Sequence, residues 1–131
     1  MKSRKFLTIF IFILLNIINI NLSYSIEPDV FVQSTVNRAS DALNDKFTKY
    51  EKVEKLKSIA KETVDINGIG FYTLGSYRKT ISDDQKKEYI YLFEQYFLKT
   101  FSSRLAEYSN PEIQVNSKKI LNKNYTMVSS V

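Results

Sequence analysis

Neither cysteine nor histidine occurs anywhere in this 131-residue chain. Disulfides, thiolate nucleophiles, imidazole metal ligands and the usual catalytic triads are therefore excluded together, and most enzyme chemistry has lost its usual instruments. Tryptophan is absent too, and glycine occurs three times. Gly68, Gly70 and Gly75 do not make a phosphate-binding loop, because the third is misplaced and no strand pattern precedes them. A large excess of one charge is also missing. Lys2, Arg4 and Lys5 lie in a segment expected to be removed and account for three of the 19 Lys and Arg; the remaining 16 face 14 Asp and Glu. So small a surplus does not argue for nucleic acid. The length suits one domain with a modest core.

What is present begins with a leader. Three basic residues precede an apolar run from Phe6 to Leu15, which Asn16, Asn19 and Asn21 then dilute, and Ser23 and Ser25 are the small residues of a cleavage site. Residues 1–25 read as a secretory signal peptide, cut between Ser25 and Ile26. The alternative is an uncleaved anchor, since Phe6 to Leu22 approaches spanning length. No Cys offers a site for lipid attachment. Export places residues 26–131 in a periplasm or outside the cell, where a chain without cysteine holds together by packing alone.

Four helices follow in the pattern. Pro28 suits a first turn, and Val32, Val36, Ala39, Leu43 and Phe47 repeat at helical spacing, giving a helix from about Asp29 to Phe47. Val53, Leu56, Ala60 and Val64 mark a second, with Asn67 and Gly68 as its stop. Its Lys52, Lys55, Lys57 and Lys61 interleave with Glu51, Glu54 and Glu62, which reads as a solvated face with helical ion pairs, or as contact with an acidic headgroup or partner. Ile69 to Tyr77 reads as a brief helix whose glycines permit close approach to a neighbour.

The long helix, residues 82–108, organises the rest. Ser82 and Gln85 have capping-box spacing, and Asp83 and Asp84 place negative charge at the positive end of the helix dipole. Tyr89, Phe93, Phe97, Phe101 and Leu105 then recur every four residues as one apolar stripe. After Asn110 and Pro111 the period becomes two. Ile113 and Val115, then Tyr125, Met127 and Ser129, read as two strands joined around Lys118 to Asn124. The fold class is therefore α+β: an N-terminal helical layer of about four helices followed by an antiparallel sheet, which a lone hairpin leaves incomplete.

Sharper chemistry does not find support. Ser58 with Lys61 and Ser76 with Lys79 share a Ser-x-x-Lys spacing but lack the accompanying Ser-Asp-Asn and Lys-Thr-Gly elements. Asp83, Asp84 and Glu88 could suggest a cation site or an acid/base pair, but helix-dipole complementation explains them more simply. Asn124, Tyr125 and Thr126 form a glycosylation pattern that means little if the source is bacterial.

The run VDINGIGFYTLGSYRKTISDDQKKEYIYLFEQYFLKTFSSRLAEY, Val64 to Tyr108, resembles the MlaC family of periplasmic phospholipid carriers, also known as toluene-tolerance auxiliary proteins. Leu74, Gly75, Tyr77 and Arg78 sit where that family has Leu-Gly, an aromatic that is usually Trp, and a basic residue. Ser82 and Gln85 begin its next helix, and Phe93, Phe97 and Tyr108 fall on its Phe, Leu and Tyr positions. The likeness extends over roughly residues 27–130. Family members continue through further strands, a Gly-x-Trp-Lys-like segment and a final helix, so this chain is expected to be a C-terminally truncated, partial carrier domain. The resemblance implies a helical layer over a mixed sheet enclosing a cavity for lipid tails, with Phe71, Leu74, Tyr77, Phe93, Phe97 and Phe101 touching phospholipid. Arg78 would meet a headgroup or anchor the layer. It further implies a carrier that is no enzyme, needs no cofactor, and shuttles phospholipid between an inner-membrane ABC transporter complex and an outer-membrane lipoprotein complex, preserving outer-membrane lipid asymmetry. The alternative is an exported remnant or interaction module that does not bind lipid by itself.

Overall fold

The computed structural model describes residues 25–131. The expected leader, apart from Ser25, lies outside the described residues. Among the described residues four α-helices and a short 3-10 helix precede a two-stranded antiparallel sheet, an α+β arrangement. Among the described residues no helix is long and apolar enough to cross a membrane.

Helix α1 spans Pro28–Ala42 with Pro28 in its first turn, where a missing N–H costs nothing. It stops short of Phe47. Beyond it the Asn44 Oδ1 accepts from the Lys46 N–H at 3.0 Å, and Asn in such a local bond competes with helical backbone. Phe47 is left half-buried in the connection. Helix α2, Lys49–Thr63, opens with a capping box. The Thr48 Oγ1 accepts from the Glu51 N–H at 3.3 Å, and the Glu51 carboxylate accepts from the Thr48 N–H at 2.8 Å. The Thr48 N–H, and after it the Thr48 hydroxyl donating to the same carboxylate at 2.8 Å, hold the Glu51 carboxyl below its usual range.

The second helix ends at Thr63, not at Asn67 and Gly68. Asp65 caps a new one, α3, Ile66–Thr73, by accepting from the Gly68 N–H at 2.9 Å. The 3-10 helix Gly75–Lys79 follows. Helix α4, Asp83–Leu105, carries the expected capping box, with Gln85 N–H on Ser82 Oγ at 3.2 Å and Ser82 N–H on Gln85 Oε1 at 2.9 Å. Asp83 and Asp84 pair with Lys86 and Lys87 one turn on. The helix stops three residues before Tyr108.

Two clusters form the core. Ala42, Leu43, Leu56 and Ala106 join α1, α2 and the end of α4, while Ala60, Ile66 and Leu98 join α2, α3 and the middle of α4. The buried residues of α4 are Leu98 and Ser102, and its C-cap Ala106 continues them, four apart and so on one face. Small side chains at 102 and 106 let α2 come close. The aromatic stripe lies beside this lane instead of forming it.

One lysine of the α2 charge run does not belong to a solvated face. Lys52 is buried. Its Nζ lies 3.7 Å from Asp45 Oδ1 and donates to the Tyr108 carbonyl and Ser109 Oγ, each at 3.4 Å. Asn110, held at φ 47°, completes this joint through Asp45 Oδ2 at 2.6 Å and the Leu43 carbonyl at 3.3 Å. Asn tolerates that left-handed conformation. Lys57 fits the expected pattern, pairing with Glu54 at 2.8 Å.

Strands β1, Val115–Asn122, and β2, Tyr125–Ser130, pair antiparallel. The turn is tighter than expected because Lys118 to Leu121 belong to β1. Asn122 Oδ1 accepts from the Asn124 and Tyr125 N–H groups at 2.9 and 3.0 Å, and so closes a two-residue connection. The hairpin packs on α1, where Lys118 pairs with Glu27 and, at 3.0 Å, with Asp29. The Lys118 bond holds the Asp29 carboxyl below its usual range. Glu27, followed by Asp29, raises the Lys118 ammonium above its own.

These shifts set a pH window. The carboxylate contribution is present above about pH 3.9, the unfolded value, and is lost as pH falls through the lower folded value; the lysine contribution is present below about pH 10.4 and is lost above the higher folded value. Acid titration followed by NMR should therefore release β1 and β2 amide shifts from their docked positions below about pH 4, and Lys118→Met should show the released shifts already at neutral pH. Hairpin shifts that do not respond to either change would contradict this.

Candidate functional site

The rings of Tyr89, Phe93, Phe97 and Phe101 stack one above the next along α4. Their centroids are 6.1, 6.1 and 5.3 Å apart, with interplanar angles of 22°, 26° and 11°. Four-residue spacing places each ring one turn from its neighbour. Helix α3 covers the start of the row. Thr73 Oγ1 and the Tyr89 hydroxyl share a hydrogen bond of 2.9 Å. A Cβ at Gly70 would meet Phe93 Cδ1 at 2.8 Å and Ile90 Cδ1 at 3.0 Å, so here glycine does permit close approach. Gly75 has a different task. Its φ is 56° and nothing lies within 4 Å of a Cβ there; backbone conformation, not space, demands glycine.

The far end of the row is open. Phe93 and Phe97 are half-buried against Ala60, Ile66 and Leu98, but Phe101 is 37% exposed. Of the other residues expected to touch lipid, Phe71 is 43% exposed, Tyr77 stands on the 3-10 helix at 70%, and Leu74 is buried. The fold thus joins Phe93, Phe97 and Phe101 into one surface, while Leu74 is buried at the C-cap of α3. Arg78 is exposed and makes no ion pair among the described residues.

Among the described residues no reactive pair adjoins these rings. Ser58 Oγ donates to Glu62 at 3.2 Å, and Lys61 turns to Glu94 at 3.8 Å, so neither serves the other as nucleophile and base. No group of His, Cys, Asp and Glu fit to hold a metal occurs among the described residues. An open depression of about 480 Å³ lies elsewhere, between α1 and α2, lined by Arg38, Lys46, Phe47, Lys55 and Ile59 among others. Lys46 and Lys55 place their ammonium groups 5.0 and 4.4 Å from the Phe47 ring centroid. What the row can do chemically is present stacked apolar surface to an apolar ligand.

The sequence pattern puts Lys52 on a solvated face and does not single out Thr48 or Ser102. Thr48 with Glu51 has the same spacing as Ser82 with Gln85 and was legible. Ser102, wholly buried with an unpartnered Oγ, had as its signal the four-residue spacing Leu98, Ser102, Ala106 with its two small members, hidden by the louder aromatic repeat.

The family model described as MlaC protein matches residues 33–131. That family comprises periplasmic lipid-binding transport proteins, not enzymes. Among curated proteins and solved structures, none matches this chain.

Proposed function

This chain belongs to the MlaC family, and from that membership we propose that it is a non-enzymatic periplasmic carrier of phospholipid. It takes lipid from one membrane complex and delivers it to another, the inner-membrane ABC transporter complex and the outer-membrane lipoprotein complex being the partners that the family suggests. Transfer follows from different affinities in the two docked states.

The stacked row carries this reading. Two acyl tails of roughly fifteen carbons each need apolar cover worth on the order of 20 kcal/mol to cross water. Phe101, with half-buried Phe97 beside it, offers an open apolar flank, Phe71 and Tyr77 are exposed aromatics on neighbouring elements, and Leu74 is buried at the C-cap of α3. Arg78, exposed beside them, suits a headgroup phosphate.

The same open flank favours a second reading, in which the row is an interaction surface and the chain holds no lipid by itself. Native mass spectrometry of protein purified from the periplasm separates the two. The carrier reading expects a co-purifying phospholipid, lost in Phe101→Asp and retained in Tyr96→Asp, a substitution at an exposed site outside the row. A folded wild-type protein that emerges lipid-free would reject it.

A further inference from the structure

The hairpin builds an end of the molecule that the aromatic row does not use. Between Ile113 and Val131 stand three lysines and no acidic residue. Lys118 is engaged by Glu27 and Asp29 at the start of α1. Asn122 lies four residues further along β1, so the turn projects roughly 13 Å beyond that anchor. Ile120, Leu121, Tyr125 and Met127 are all exposed there.

Their register distinguishes what could cover them. Ile120 pairs with Thr126 on the side shared with Lys118 and Val128, the side that meets α1, whereas Met127 pairs with Lys119 on the opposite side. Ile120 is nevertheless 71% exposed and Met127 52%. A second layer of helix or sheet would cover one face and leave the other wet. A medium that surrounds the tip covers both. Ile26, just before α1, and Val30 and Phe31 in its first turns are also exposed at this same end. Lys119 and Lys123 form no ion pair among the described residues. Tyr125 combines an apolar ring with a polar tip, the combination suited to the boundary between hydrocarbon and water.

We propose that this end docks on a bilayer surface containing anionic lipid. Ile120, Leu121, Tyr125 and Met127 enter the headgroup boundary, and Lys119 and Lys123 meet lipid phosphates. The docking orients the molecule on the membrane without using the row on α4.

Vesicle co-sedimentation tests it, with phosphatidylcholine alone and with phosphatidylcholine mixed with phosphatidylglycerol. The purified protein should bind the mixed vesicles more tightly. Replacing Lys119→Gln and Lys123→Gln together should weaken that binding by roughly 30-fold, about fivefold for each lysine, and raised salt should do likewise. Leu121→Ser with Tyr125→Ser should weaken binding to both vesicle types, with unchanged far-UV circular dichroism because both side chains are exposed. Phe101→Asp should bind vesicles as the wild type does, which separates docking from lipid carriage. Equal binding to the two vesicle types, or tip variants that bind as the wild type does, would overturn the proposal. So would sedimentation velocity showing, without vesicles, a dimer that the tip substitutions abolish, since a second copy would then be what covers the tip.

Discussion

Leu56→Ala should unfold this protein at a temperature on the order of 10–20 °C lower than the wild type, from a loss of about 2–5 kcal/mol. Leu56 is 2% exposed and sits where α1, α2 and the end of α4 meet, against Ala42, Leu43 and Ala106. All four cluster residues are Leu or Ala at positions where chains approach closely, so little can relax into the space left by the truncated side chain. A small domain has only about 5–15 kcal/mol of stability to lose. Leu92→Ala provides the contrast. Leu92 is 56% exposed on α4, and its truncation should change stability by no more than about 0.5 kcal/mol. Thermal denaturation followed by circular dichroism reads both. If the two variants melt alike, the core has been placed wrongly.

Gly70→Val should cost about 2–3 kcal/mol and should also disturb the aromatic row. Its first added carbon would stand 2.8 Å from Phe93 Cδ1, and the two methyl groups beyond it need still more room. Relief requires α3 to move away from α4, or Phe93 to turn out of its stack with Tyr89 and Phe97. Either response should disperse the ring-current shifts of Phe93 and Phe97 in an NMR spectrum and break the bond between Thr73 and Tyr89. At Gly75 the reason for glycine is torsional, so Gly75→Asn should be tolerated far better than Gly75→Val, which demands a branched residue at positive φ. Equal tolerance of valine at 70 and 75 would mean that α3 does not pack closely on α4.

The helical layer was legible because its signals are local. Ser82 with Gln85 announced the start of α4, and the aromatic repeat announced its length. Burial was less legible. The Phe repeat is the strongest pattern in the chain, yet Leu98, Ser102 and Ala106, the weaker one, form the packed lane, because close approach of two helices selects small side chains that hydropathy does not register. Lys52 was misplaced for a related reason: lysine in a charge run reads as solvated, and the partners that bury it, Asp45, Tyr108 and Ser109, are set by tertiary structure. Helix ends went astray where Asn44 and Asp65 redirected the backbone through their own side chains. The length of β1 went astray because Lys118 and Lys119 are poor strand residues by propensity, and cross-strand pairing overrode that preference. Of the candidate site, the row itself could be read from spacing. That α3 shelters one end and leaves the other open could not.

The ties from Lys118 to Glu27 and Asp29 span 91 and 89 residues of chain. Closing a loop of that size in a disordered chain costs on the order of 4 kcal/mol of entropy, more than exposed ion pairs repay. Helices α1, α2 and α4 are therefore expected to gather first and shorten the loop, with the ribbon docking last.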